Sequence, residues 1–196
     1  MASTYTMSSH VAIVVIILLA MSSLCIVTDA GNGSGGPDAD AGRRARAAAI
    51  VSDLLAVHND ARRAVGVAPL AWSRGVAAYA KSYARSRRGD CSPQRSPLFY
   101  FGENAFVGSG RRWNATAVAA AWVEEGRRLY DYGSNTCGAG GETSSSSDSA
   151  PCELYTQVVW RNTTQLGCGR VVCGSGDSLL VCDYFPPGNY GTGRPY

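Results

Sequence analysis

Histidine is nearly absent from this chain. There are two, and one of them, His10, lies ahead of an apolar run near the start. Lysine is rarer still: Lys81 stands alone among the 18 basic residues, and the other seventeen are arginine. No Cys-x-x-Cys pair, no Gly-x-Ser-x-Gly elbow and no second long apolar run after the leader occurs. A structural zinc site needs four Cys or His ligands at suitable spacing, so the shortage of both patterns argues against one. The missing elbow argues against a serine hydrolase of that kind. Without a second apolar run the processed chain should be soluble.

The leader itself is present. Val11 to Leu19 is unbroken and apolar, Ser22-Ser23 interrupts it, and Leu24 to Val27 extends it. A spanning helix needs about 20 consecutive apolar residues. Thr28-Asp29-Ala30 then places small residues one and three before a cut, although no basic residue precedes the run. Residues 1–30 read as a signal peptide. Cleavage after Ala30 leaves 166 residues (196 minus 30), one domain's length. Asp29 is the leader's one charged residue, so the processed charge is 18 minus 14, or +4. The arginine pairs 43-44, 62-63, 87-88, 111-112 and 127-128 are scattered and read as solvated helix faces and loop ends, not as a nucleic-acid surface.

Seven cysteines occur, and Cys25 leaves with the leader. Cys91, Cys137, Cys152, Cys168, Cys173 and Cys182 remain, an even number that reads as three disulfides in an exported protein. Spacing leaves the pairing open. Three sequons, at Asn32, Asn114 and Asn162, suit a secreted chain.

Residues 31–45 read as a flexible lead-in. Leu54, His58, Ala61 and Val65 share one face of a helix over 46–65. Ser73 caps a second helix ending near Arg88. A third covers 115–130, with Val118, Trp122, Glu125 and Leu129 on its inward stripe. Residues 91–110 read as loop, and 138–151 is a Gly- and Ser-rich segment between cysteines. Tyr155 to Trp160, Gly169 to Cys173 and Leu179 to Phe185 read as strands, with a turn at 174–177. Helices first and strands after predict an α+β domain with a mostly antiparallel sheet.

Several blocks stand in order: His58-Asn59-Asp60-Ala61-Arg62, Pro69-Leu70-Ala71-Trp72, Gly89-Asp90-Cys91, Gly102-Glu103-Asn104, Trp122 with Glu125, Tyr155 to Asn162, Leu166-Gly167-Cys168-Gly169-Arg170, and Pro187-Gly188-Asn189-Tyr190 with a final Arg194-Pro195-Tyr196. Together they resemble the plant pathogenesis-related class 1 family, in the CAP superfamily of cysteine-rich secretory proteins. The likeness covers Arg46 to the last residue. It implies a three-layer α-β-α sandwich over 46–196 and the pairings Cys91–Cys173, Cys137–Cys152 and Cys168–Cys182. It also implies secretion to the apoplast, a defence role, no enzymatic activity, and binding of a sterol or other lipid. A monomer without cofactor is expected, with microbial membrane components as further partners.

The same resemblance implies a central cleft of two histidines and two glutamates able to hold a divalent metal. Here the histidine positions carry Arg95 and Leu154, and the carboxylates survive as Glu103 and Glu125. With His58 as the one histidine after the leader, no metal is expected. Arg95 is a candidate partner for an inward glutamate, since a carboxylate on an apolar face needs one. His58, on an apolar helix face, reads as an internally bonded core residue more readily than as a base. Two rival functions follow. Glu103 and Glu125 would be the acid/base pair of a hydrolase. Alternatively residues 186–196, after Cys182-Asp183-Tyr184-Phe185, would be released as a signalling peptide; Asp183 there replaces the family's usual asparagine. The resemblance further links the loop ahead of Tyr155-Thr156-Gln157 to sterol contact; Tyr130 and Tyr132 would lie near it, and the insert 138–151 could cap the pocket or weaken binding.

Overall fold

The computed structural model describes residues 36–97, 99–110, 113–138, 152–191 and 193–196. The signal peptide, Asn32 and nearly all of the Ser-rich insert therefore lie outside the described residues. The chain divides into a short unit, Met1–Ala41, of which residues 36–41 are described, and a main unit, Gly42–Tyr196. The main unit carries the core and every site considered below.

The helix α1 spans Pro37–Ala64. It begins nine residues before the expected start at Arg46, so the latter part of the expected lead-in is helical. Asp38 and Asp40 in its first turn favour the positive helix end, while residues 41–50 are all exposed. Next come strand β1 (Ala71–Trp72), helix α2 (Arg74–Ser86), strand β2 (Gly102–Gly108) and helix α3 (Ala115–Leu129). A small hairpin, β3 (Tyr130–Asp131) and β4 (Thr136–Cys137), is followed by helix α4 (Glu153–Val158) and strands β5 (Gln165–Val172) and β6 (Ser178–Phe185). Ser73 caps α2, its hydroxyl accepting from the Val76 N–H. Asn114 does the same for α3, accepting from Thr116.

The main sheet runs β1-β5-β6-β2, with β1 parallel to β5 and the other pairs antiparallel. Alternation on the central strand divides the core. Leu180, Cys182 and Tyr184 face Leu54 and Ala61 of α1, Trp122 of α3, and Tyr155 and Val158 of α4. Leu179 and Val181 face Ala80 and Ala84 of α2. The result is the three-layer α-β-α sandwich. On the α2 side the packing depends on two glycines of β5. A Cβ on Gly167 would stand 2.1 Å from the Ala77 nitrogen, and one on Gly169 would stand 2.4 Å from the Lys81 Cα. Two glycines two residues apart face the same way, so the helix backbone settles directly onto the strand.

The three disulfides are Cys91–Cys173, Cys137–Cys152 and Cys168–Cys182. The last joins residues that are direct partners across β5 and β6.

Two elements differ from the sequence reading. Tyr155 to Trp160, expected as a strand, is helical over Glu153–Val158. Its residues 155–158 are all buried, and tertiary burial overrides the strand preference of aromatic and β-branched residues. The expected loop 91–110 contains β2, which pairs with β6 through seven residues. Its flanking prolines and glycines hide the strand in the sequence.

Candidate functional site

The His-Asn-Asp-Ala-Arg block is a structural hub on α1. Asn59 mimics a strand partner for Leu70: its side-chain amide donates to the Leu70 carbonyl at 3.2 Å and its oxygen accepts the Leu70 N–H at 2.7 Å. Arg62, one turn after His58, is fully buried. Its guanidinium donates to four carbonyls: Ala68 (2.7 Å), Val158 (3.0 Å), Trp160 (2.9 Å) and Thr163 (2.8 Å). Burial pushes its pKa down to about 10. The expectation of a solvated 62-63 pair holds for Arg63 alone, which is exposed and meets Asp60.

His58 is also fully buried. Its Nδ1 donates to the Leu54 carbonyl at 2.7 Å, and its Nε2 accepts from the Tyr184 hydroxyl at 2.9 Å. Asn104 donates to the Tyr184 hydroxyl (3.2 Å) and to the Leu154 carbonyl (2.9 Å). Desolvation, with a smaller push from Arg62, lowers the His58 pKa to about 4. The imidazole is a neutral core residue with both nitrogens bonded, which leaves it no proton to exchange with a ligand.

Of the expected cleft set, His58, Glu103, Glu125, Arg95 and Leu154, only Arg95 and Glu103 lie close enough to interact, and the five do not converge. Glu125 lies on the exposed face of α3. The inward residue is Gly126, where a Cβ would stand 2.2 Å from the Tyr155 Cβ. The stripe continues from Trp122 by four residues instead of three. Glu103 faces away from His58: it opposes Asp183 across β2 and β6, on the face that holds Leu179 and Val181. Arg95 is exposed and pairs with Glu153 at 3.3 Å. Leu154 packs on the core and contributes its carbonyl. The Glu103/Glu125 acid/base pair of a hydrolase is therefore not assembled.

A metal fits these residues no better. His58 is engaged at both nitrogens, Arg95 carries a positive charge, and Leu154 has no donor side chain. Among the described residues no group of three His, Cys, Asp or Glu side chains converges.

The carboxylate that does meet Glu103 is Asp183, which the sequence reading left without a structural role. Both are buried, at 5% and 0% exposure. Glu103 Oε1 accepts the Ser96 N–H at 3.0 Å. Burial, followed by the facing Glu103, pushes the Asp183 pKa up to about 8. Burial likewise raises that of Glu103.

A cavity of about 440 Å³ opens elsewhere, beside the Cys137–Cys152 bridge. Tyr130, Trp160 and Pro195 give it apolar walls, and Glu153, Thr156 and Asn189 give it polar ones. The C-terminal tail forms one side. Asn189 donates to the Glu153 carbonyl at 2.9 Å and accepts from the Thr156 hydroxyl at 2.8 Å. The Pro195 carbonyl accepts the Arg161 N–H at 2.6 Å. Tyr196 stacks on Tyr132 with centroids 4.8 Å apart. The tail is thus stitched to α4 and the hairpin at Asn189 and Tyr196, and to the segment after α4 at Pro195. The sequons Asn114 and Asn162 are both exposed.

Comparison with known proteins agrees with this architecture. Residues 55–184 match the model of the cysteine-rich secretory protein family, CAP. A pathogenesis-related protein of PR-1 type from Sambucus nigra is 43% identical over 144 residues, 74% of this chain and 80% of that one. Pathogenesis-related protein 1A from Nicotiana tabacum is 44% identical over 144 residues, 74% and 79% of the two chains. Among solved structures, Hookworm Platelet Inhibitor superposes with a TM-score of 0.55 at 20% identity, over 74% of this chain and 73% of that one. Schistosoma mansoni venom allergen-like protein 4 gives 0.52 at 24%, over 73% and 90%. At those identities the structures show a shared fold.

Proposed function

Because this chain belongs to the cysteine-rich secretory protein family and is a relative of plant pathogenesis-related class 1 proteins, we propose that its part in plant defence is that of a secreted, non-enzymatic binding module. It acts in the apoplast as a monomer, and its ligand is a sterol or a similar lipid. The observation that carries this reading is the cavity beside Cys137–Cys152. Its volume falls in the range of small-molecule sites, which combine apolar walls with a few placed polar groups. Tyr130, Trp160 and Pro195 suit a rigid apolar body, and Glu153, Thr156 and Asn189 suit a single hydroxyl at its end. An oxidising extracellular setting matches three disulfides.

The test is equilibrium binding of a fluorescent sterol and a fluorescent fatty acid to the secreted, disulfide-intact protein. Saturable binding that falls at least tenfold in Tyr130→Ala, with the folded-state spectrum retained, supports the cavity as the site. Absence of saturable binding for both probes refutes the lipid reading. Binding unchanged in Tyr130→Ala moves the site elsewhere.

A further inference from the structure

Asp183 has an unusual neighbourhood for a carboxylate. It lies on β6, the central strand, between two partners. On β5 its register partner is Gly167, which has no side chain. On β2 its partner is Glu103. Above Gly167 lies the backbone of α2 at Val76 and Ala77. The one side chain opposite Asp183 on a flanking strand is thus another acid. Directly opposed residues of an antiparallel pair stand about 4.5–5.5 Å apart at Cβ, well within reach of two carboxyl groups.

The donors do not suffice. Glu103 Oε2 and both oxygens of Asp183 are buried without a hydrogen-bond partner among the described residues. Ser96 alone serves Glu103, through its N–H on Oε1 and through its side chain. Two buried like charges cannot both persist at this distance. A proton on one carboxyl group supplies the missing donor and removes the repulsion in one step, leaving a charge-assisted O–H···O⁻ bond.

We propose that Glu103 and Asp183 form a proton site, in which one proton held between the two carboxyl groups keeps β2 on β6. The site ties pH to the packing of the 92–97 segment, since Glu103 also holds the Ser96 N–H. Other charged groups nearby modulate it without pairing with it. Arg95, from the segment before β2, favours ionised Glu103. Tyr83 of α2 senses Glu103 and also Arg87, which follows the helix and meets Asp90 at 2.7 Å. Tyr184, next in sequence, projects to the other face, where it meets His58.

The sign follows from linkage. An acid whose folded pKa is raised, to about 8 for Asp183 against an ordinary 3.8, binds its proton more readily in the folded protein. Stability from this site is full below about pH 4 and is lost as pH rises toward about 8. His58 works oppositely between its ordinary 6.5 and about 4, so the two slopes offset each other below pH 6.5. The clean window is pH 6.5 to 8, where His58 is neutral in both states. One proton there changes the folding equilibrium constant roughly tenfold per pH unit.

The experiment measures denaturant midpoints of the full secreted protein, disulfides intact, from pH 5 to 9 in chelated buffer. The wild type should lose stability from pH 6.5 to 8 with a slope approaching one proton. In Asp183→Asn an amide donates to Glu103 and that slope should vanish, as it should in Glu103→Gln. Equal slopes in wild type and variants overturn the proposal. So does stoichiometric binding of Ca²⁺, Mg²⁺ or Zn²⁺ that raises the wild-type midpoint at pH 8 and leaves Asp183→Asn unchanged. If neither variant folds, carbon-13 NMR of the labelled wild type decides. A carboxyl resonance titrating above pH 6.5 supports the site, and titration of every carboxyl below that value overturns it.

Discussion

The two faces of the main sheet solve the problem of buried polarity in opposite ways. On the α1 face, Asn104, Tyr184, His58 and the Leu54 carbonyl form a relay in which each donor finds an acceptor. Arg62 nearby spends its guanidinium on four carbonyls. On the α2 face, Glu103 and Asp183 offer four oxygens to a single residue's donors, the N–H and side chain of Ser96. Adjacent residues of β6, Asp183 and Tyr184, belong to these opposite regimes. The comparison separates a scaffold indifferent to pH between about 6.5 and 8 from a face whose stability depends on the proton supply.

The largest effect should come from breaking the satisfied face. Arg62→Met keeps the aliphatic stem and removes the charge, leaving the carbonyls of Val158 and Thr163 buried without a donor. An orphaned buried acceptor costs about 1–3 kcal/mol. With two so orphaned and two more weakened, the loss should be about 3–5 kcal/mol in a urea titration. A loss below about 1 kcal/mol would mean that water replaces the guanidinium, and the α1 face would not rest on its own donors.

Next in size is a test of the α2 face that leaves its carboxyl groups alone. Gly169→Ala puts a methyl group 2.4 Å from the Lys81 Cα and 2.5 Å from its nitrogen. Both atoms are backbone, so α2 must shift. Overpacking of this kind costs about 1–3 kcal/mol. Because the shift acts on the sheet two residues from Gly167, the partner of Asp183, the variant should also flatten the wild-type slope between pH 6.5 and 8. A destabilised variant with the full slope would show that α2 does not keep water from the carboxyl pair.

These contrasts also mark what the sequence discloses. The three-layer order was legible because α2 carries a clear cap, α2 and α3 carry apolar stripes, and cysteines and motif blocks pointed to one family. The strand β2 was not, since prolines and glycines surround it. Helix α4 was misread because complete burial selects the same aromatic and β-branched residues that strands use. Glu125 was misplaced by one residue: both Glu125 and Gly126 continue the Trp122 stripe, and only the contact with Tyr155 makes glycine the inward choice. Arg62 looked like half of a solvated pair, although it follows His58 by four residues on the buried face. Asp183 was readable in part, since it alternates with Leu179 and Val181. That its neighbour on β2 would be Glu103 depends on a register that no local pattern sets.

The smallest effects should come from the two exposed members of the expected cleft, and they sharpen the comparison by what they leave untouched. Arg95 and Glu153 form an exposed pair, with side chains 51% and 34% accessible, and such pairs contribute about 0–1 kcal/mol. Arg95→Met should therefore cost little at pH 5. It also removes a positive charge that favours ionised Glu103, so the carboxyl pair should hold its proton more tightly. The fall in stability should move to higher pH, by less than about one unit given solvent screening. Glu125→Gln, on the exposed face of α3, should change neither the midpoint by more than about 0.5 kcal/mol nor the position of the fall. A shift in Glu125→Gln as large as that in Arg95→Met would return Glu125 to the carboxyl cluster and erase the distinction between the two faces.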